Sequence, residues 1–366
     1  IESDPKLKRA QDELEQALGT GRVSLSTFTG TDRMLVYHGG ASDPGAMYIY
    51  TPGERRLDLF SEYRPDVDFQ QLVDVQVISY QARDGTPIEG YLTLPEWRGR
   101  QAPEGGHPLI LMPHGGPFGV RDSQTYSDRV QVLANRGYAV LSVNFRGSTG
   151  FGKDFISAAD LQWGKTMHDD LIDAVDWAIE QGIAQADKVA IMGGSYGGYA
   201  TLAGLTFTPD KFACGVDIVG PSNLETLLET IPPYWEPMIA QFHERMGNPN
   251  TPEGLAMLKE RSPLNSAGNI VKPLLIGQGA NDPRVNQAES DQIVGAMKEK
   301  NIPVTYVLYP DEGHGFANPA NNIAFNAITE NFLAEWLGGR SEPIGDTVSA
   351  STAQLVEGAE HVKGLN

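Results

Sequence analysis

Three residues far apart in the chain have the types that nucleophilic catalysis requires: Ser195, Asp282 and His314. A serine hydroxyl is a weak nucleophile until an imidazole takes its proton, and that imidazole needs a carboxylate to fix its tautomer. Ser195 stands in K-V-A-I-M-G-G-S-Y-G-G-Y-A as Gly193-x-Ser195-x-Gly197, between an apolar strand-like run and a helix expected to begin near Tyr196. A strand-turn-helix of this kind strains the serine backbone and tolerates only small neighbours, which the flanking glycines supply. The pattern alone is weak in a chain with 41 glycines, where a plain glycine-rich turn is the ordinary alternative. Its flanks carry the assignment.

Both partners are expected downstream, in the order Ser, Asp, His. Asp282 lies in P-L-L-I-G-Q-G-A-N-D-P-R-V, after an apolar run and a glycine-containing loop, where its bland reading is a turn aspartate before Pro283. His314 follows the run V-L-Y-P-D-E-G-H-G-F and is ringed by glycines. Asp311 and Glu312 compete for the carboxylate role but are too near His314 in sequence to reach its ring easily from the far side. A further run, L-I-L-M-P-H-G-G-P-F-G from Leu109, ends a strand in a glycine turn whose bare amides can face a developing oxyanion. The amide of Gly116 and that of Tyr196, just after the nucleophile, are assigned to that hole. His114 suits a hydrogen bond that braces this loop better than it suits a general base.

The elements that must hold these residues are readable from periodicity. Asp4-Pro5 reads as a helix cap and first turn, with Leu7, Ala10, Leu14 and Leu18 on one face and Thr20-Gly21 as the stop. Four alternating stretches follow, starting at Arg22, Arg33, Ala46 and Arg56 and separated by glycine turns. They predict an antiparallel meander the size of one propeller blade. From about Asp74 eight strand-like runs come in order: V-Q-V-I-S-Y, I-E-G-Y-L-T-L, L-I-L-M-P, A-V-L-S-V-N-F, K-V-A-I-M-G, G-V-D-I-V-G, P-L-L-I-G and V-T-Y-V-L-Y. From the third onward most are separated by helix-length amphipathic stretches such as 169–181. This alternation predicts an α/β fold, a mainly parallel sheet with helices on both faces. Three segments result: 1–68 as helix plus meander, 69–340 as the catalytic domain, and 341–366 as a polar tail over the surface.

Hydrophobic residues at 40% and charged residues at 20% are those of a globular protein. The formal charge of −19 argues against nucleic acid and anionic membranes as partners. Cys214 is the single cysteine, so neither an intrachain disulfide nor a thiolate zinc cluster can be assembled. The chemistry read here calls for no metal or cofactor. No apolar run approaches the ~18 residues of a membrane span. The chain opens on Ile1, not Met, and is expected to be the remainder of a longer polypeptide, which leaves cytoplasm and periplasm both open, as is the oligomeric state.

In order, H-G-G-P, N-F-R-G-S-T-G-F-G, G-G-S-Y-G-G-Y, D-I-V-G-P-S-N-L, G-A-N-D-P-R-V and D-E-G-H-G-F resemble the catalytic domain of the prolyl oligopeptidase family of serine peptidases, nearest its acylaminoacyl-peptidase and dipeptidyl-peptidase-like branch. The resemblance covers about 74–340. It implies an α/β-hydrolase domain, short peptides as substrates and a covering β-propeller, with Ser195, Asp282 and His314 at the triad positions and Gly116 and Tyr196 at the oxyanion hole. Only about one blade precedes the catalytic domain, so the remaining propeller is expected to be missing from this chain. By the same resemblance the segment I-V-G-P-S-N-L-E-T-L-L-E-T-I-P-P-Y-W-E-P lines the pocket for the residue before the scissile bond, with Val219, Tyr234 and Trp235 as candidates. The aromatic residues could equally face the missing propeller. Arg146 either holds its loop or a substrate carbonyl, or forms a purely structural ion pair. A carboxylesterase of the same fold and a non-catalytic interaction module are the competing functional readings.

Overall fold

A computed structural model describes residues 4–19, 21–95 and 103–365. Contacts divide them into two compact units. One takes in the described residues of Ile1–Val77, Thr93–Gln101 and Ser123–Asn135; the other takes in those of Ile78–Leu92, Ala102–Asp122 and Arg136–Asn366.

The first unit begins with helix α1, Pro5–Leu18, whose Asp4 side chain accepts the Lys6 N–H at 2.8 Å, with Pro5 pre-set for the first turn. The helix closes at Gly19, whose φ of 78° suits glycine, and Thr20 lies outside the described residues. Strands β1 (Arg22–Thr27), β2 (Met34–Gly40), β3 (Asp43–Thr51) and β4 (Arg56–Glu62) form an antiparallel sheet in sequence order. Ala10 and Leu14 of α1 pack on Val23, Met34, Val36 and Tyr50 to make its core. β4 contributes little to that core, and Leu59 and Phe60 on it are exposed. Helix α2, Asp128–Asn135, belongs to this unit, where the Gln131 amide donates to the Val73 carbonyl at 2.8 Å and accepts the Val73 N–H at 3.1 Å.

The second unit is built on a nine-stranded sheet. Its strands are β5 (Val75–Gln81), β6 (Pro87–Thr93), β7 (His107–Leu111), β8 (Ala139–Val143), β9 (Ala184–Gly194), β10 (Cys214–Ile218), β11 (Leu274–Gly279), β12 (Val304–Tyr309) and β13 (Gln354–Glu357). Their spatial order is β13-β12-β11-β10-β9-β7-β8-β6-β5. The run from β8 through β7, β9, β10 and β11 to β12 is parallel, and β13 joins antiparallel to β12. The helices are α3 (Lys153–Ser157), α4 (Thr166–Glu180), α5 (Tyr196–Phe207), α6 (Leu224–Glu229), α7 (Ile239–Met246), α8 (Pro252–Glu260), α9 (Gln287–Glu299) and α10 (Pro319–Leu337). Of these, α5 packs on β9 and β10, α4 and α10 on β9, and α9 on β11 and β12.

The central strands are mostly apolar because helices shield them, so β7, β8 and β10 read as largely hydrophobic runs, broken by His107, Ser142 and the buried Asp217. Cys214 opens β10 fully buried. Residues 341–366, expected as a surface tail, instead supply β13 and bury Ile344 and Val362. Four residues of edge strand beside a register shift are too short to show periodicity. No helix among the described residues is long and apolar enough to cross a membrane.

The strand order reverses at β7, which has β8 on one side and β9 on the other. At such a switch point the loops leaving two neighbouring parallel strands diverge and open a crevice at their carboxyl ends. The loops that leave β7 and β9 carry Gly116 and Ser195.

Candidate active site

Ser195 sits between β9 and α5 with φ 57° and ψ −118°, a left-handed conformation that a side-chain-bearing residue adopts only when its surroundings force it. Those surroundings are backbone. A Cβ on Gly193 would lie 2.5 Å from the Gly197 carbonyl carbon, and one on Gly197 would lie 2.3 Å from the Pro113 carbonyl oxygen. The two glycines of the motif are thus required by close chain approach. The Ser195 N–H is tied to the Ile218 carbonyl at 2.9 Å, and its carbonyl accepts the Tyr199 N–H at 2.9 Å. Tyr196 is the first residue of α5, so its amide has no intrahelical acceptor and carries the positive end of the helix.

The loop after β7 brings His114, Gly115 and Gly116 to the same place. The His114 Nδ1 lies 2.6 Å from the Gly115 carbonyl, so that nitrogen must carry a proton, and Nε2 lies 2.7 Å from the Ser148 hydroxyl. The ring stacks on Phe145 at 4.4 Å, and burial pushes it toward its neutral form. His114 therefore braces the glycine loop, and both of its ring nitrogens are occupied in doing so.

Asp282 and His314 meet across the loops that follow β11 and β12. His314 Nδ1 is 2.7 Å from Asp282 Oδ2. The other carboxylate oxygen accepts the Arg284 and Val285 N–H groups at 2.8 and 2.9 Å, which fixes the carboxylate plane. Because a carboxylate only accepts, Nδ1 of His314 is the donor in this bond, and of the two tautomers of a neutral ring the pair selects the one with its lone pair on Nε2. The two nearby carboxylates are committed elsewhere. Glu312 accepts the Ala317 and Asn318 N–H groups and the Asn321 amide, while Asp311 accepts from Thr352 and Asn321.

Ser195, Tyr196, Gly115, Gly116 and His314 line one cavity of about 510 Å³. Its remaining wall is largely apolar, with Phe118, Trp163, Leu227, Leu228, Trp235, Phe242 and Val285, and two guanidinium groups, Arg245 and Arg284, join it. Arg284 lies over the Trp235 ring at 5.4 Å, and Arg245 over the Phe118 ring at 4.1 Å with Asp160 at 3.2 Å. Of the four substrate-binding candidates, Trp235 lines this cavity. Val219 does not; it is buried with φ 49°, its N–H bonded to the Gly277 carbonyl. Tyr234 is 55% exposed and edges onto Trp235. Arg146 is also absent from the lining: its Nε and backbone N–H reach the fully buried Asp170 at 3.0 and 2.9 Å, and it holds the Asp84 carboxyl down to about 2. Phe118 and Val285 lie within the runs H-G-G-P-F-G and G-A-N-D-P-R-V, so the sequence offered a signal for them. Trp163, Phe242 and Arg245 lie in segments without any motif. Among the described residues no cluster of three or more His, Cys, Asp or Glu side chains is placed to hold a metal ion.

A mainly parallel sheet with a reversed strand order, a strained serine at its carboxyl edge and a carboxylate-bound imidazole that lines the same cavity as the serine define the α/β-hydrolase class. A profile of the prolyl oligopeptidase family matches residues 124–340. Dipeptidyl aminopeptidase BIII of Pseudoxanthomonas mexicana is 56% identical over 99% of this chain and 53% of its own length. Dipeptidyl peptidase family member 6 of Caenorhabditis elegans is 45% identical over 88% of this chain and 45% of its own. Among solved structures, a Mycobacterium tuberculosis puromycin-hydrolyzing peptidase superposes with a TM-score of 0.75 at 27% identity, over 85% of this chain and 46% of that one. The chain belongs to the prolyl oligopeptidase family of serine peptidases. It spans about half the length of the curated relatives it matches.

Proposed function

We propose that this chain is the catalytic part of a serine peptidase that cleaves short peptides through an acyl-enzyme, with release of N-terminal dipeptides as the activity its relatives' names favour. The observation that carries this reading is that His314, bonded to Asp282, lines the same cavity as Ser195. In the proposed sequence Nε2 of His314 takes the Ser195 proton as Oγ attacks the carbonyl carbon of the peptide bond. The amides of Gly116 and Tyr196 receive the oxyanion, and the same proton is then given to the departing amine. Water repeats the cycle on the ester. Asp282 holds the imidazole in the required tautomer and stabilises the imidazolium.

The four-stranded sheet β1–β4 is proposed as one blade of a larger propeller. The exposed Leu59 and Phe60 on its outer strand and the twofold length of the relatives support this. Peptide size and amino-end recognition would then come from the rest of that domain, as binding energy remote from the scissile bond.

One experiment tests both proposals. The chain should label once with a fluorophosphonate at Ser195, and Ser195→Ala should lose labelling and lower kcat by about 10⁴-fold. On p-nitrophenyl acetate the chain should match a longer polypeptide carrying the full N-terminal domain, yet fall well below it on a dipeptidyl p-nitroanilide. Retention of a tenth of the activity by Ser195→Ala overturns the nucleophile assignment. An unchanged ratio of the two substrates overturns the role given to the missing domain.

A further inference from the structure

The carboxylate of Glu289 takes no part in the chemistry above, yet it is only 1% exposed. It projects from α9, seven residues beyond Asp282 in the chain. Its Oε2 accepts the Ser222 N–H at 2.9 Å, the Asn223 N–H at 2.8 Å and the Gln292 amide at 2.9 Å, and its Oε1 accepts the Thr226 hydroxyl. The bond is reciprocated, since the Ser222 hydroxyl donates to the Glu289 backbone carbonyl at 2.6 Å. A carboxylate offers about four acceptor sites, so this one is filled by two backbone amides and two neutral side chains.

What these donors share is their position. Ser222, Asn223 and Thr226 belong to the segment that leaves β10 and starts α6, and the same segment gives Pro221, Leu227 and Leu228 to the cavity wall. Arg284 and Val285 line the cavity from the segment leading into α9, whose other end of business is Asp282. Glu289 is the joint at which these two walls are pinned. Deleting its acceptors would leave two backbone N–H groups buried and unpaired, at a cost that the loop relieves by moving.

We propose that Glu289 is a positioning residue that sets specificity, holding residues 222–226 against α9 and so fixing the width of the cavity that receives the apolar side chain before the scissile bond. The inference rests on the reading of that cavity as the pocket adjoining Ser195. It assigns Glu289 no contact with substrate.

The variants that test it are Glu289→Met, which keeps the volume and removes every acceptor, and Glu289→Gln. The glutamine oxygen can still take the two backbone N–H groups while its NH₂ donates to the Thr226 hydroxyl, so it should rescue. With matched peptides carrying Phe or Ala before the scissile bond, Glu289→Met should raise KM for the Phe peptide about tenfold or more and change kcat less than threefold. The preference for Phe over Ala in kcat/KM should shrink by a similar factor, with p-nitrophenyl acetate hydrolysis held within about twofold. Glu289→Gln should restore the preference. If Glu289→Met does not fold, Glu289→Ala takes its place, because it removes the same acceptors without setting an apolar chain against the two backbone N–H groups. An unchanged Phe preference, or an equal fall in kcat on peptides and ester, overturns the proposal. Calorimetric binding of peptides ending in Phe or Ala to the same variants separates the two ideas. If binding discrimination follows residue 289 while the parent chain shows no turnover, the catalytic reading fails and this inference stands. If the parent chain binds both peptides alike, the inference falls.

Discussion

Arg146 shows how a charged residue next to a motif divides between substrate contact and scaffold. Its guanidinium is spent on Asp170 and Asp84, at 6% exposure and away from the cavity lining. Removing one member of a buried pair leaves the other charge uncompensated, so Arg146→Met should destabilise the fold by about 3–5 kcal/mol. Arg146→Met/Asp170→Asn should regain much of that loss, since the amide oxygen keeps the backbone N–H of residue 146 paired without a lone buried charge, and KM should stay near the parent value in both. Urea midpoints and peptide kinetics read these two effects separately, and a raised KM at unchanged stability would return Arg146 to the substrate. The contrast with Ser195, Asp282 and His314 is instructive. Each of those lies directly after an apolar strand in a glycine-bearing loop, so their neighbours in sequence already describe their setting. The setting of Arg146 depends on Asp170, which lies 24 residues away on α4, and nothing local announces it.

Helix α4 carries a second buried group that the chemistry does not use. His168 packs edge-on to Phe207, with Nε2 at 3.2 Å from the Thr208 hydroxyl, and burial lowers its pKa from 6.5 to about 4. The folded chain therefore resists a proton that the unfolded chain accepts. The stability linked to this histidine is complete above about pH 6.5 and declines as pH falls toward 4, by up to about 3 kcal/mol. His168→Phe should flatten that part of the pH dependence of the urea midpoint between pH 7 and 4.5; an identical slope in the variant would show that other groups carry it.

Elements as such were the most legible level. All eight strand-like runs after Asp74 became β5–β12: the inner strands are shielded on both faces and read as mostly apolar runs, while the edge strand β5 mixes polar and apolar residues because much of it is exposed. Helix α5 was harder to read by periodicity. Every residue from Tyr196 to Thr206 is buried, and a helix enclosed on all sides has no polar face to mark its turn. The cavity walls were legible only in part: the segment carrying α6 and Trp235 was singled out, whereas Trp163 before α4 and Phe242 on α7 were not, because those segments meet the site only in three dimensions.

On the scale of the whole chain, a formal charge of −19 on 366 residues keeps copies apart and favours solubility, and it works against the compact state at low ionic strength. Two compact units share this charge, and the sheet of the first leaves apolar side chains on its outer strand uncovered. The alternating stretches of the sequence already read as a meander, and the four strands pair in sequence order. The buried Cys214 gives the molecule one more property. It is the only thiol, it has no exposed surface, and burial in the middle of the sheet pushes its pKa up, so reagents meet neither an accessible sulfur nor a thiolate. Alkylation must wait until β9, β10 and β11 part, which makes the cysteine a built-in clock for the opening of the catalytic core. Under native conditions the chain should take up a single label at the slow pace of that opening, and a covalent adduct on Ser195, one strand away, should slow it further. Labelling within seconds at neutral pH would mean that the central sheet breathes far more freely than its packing implies.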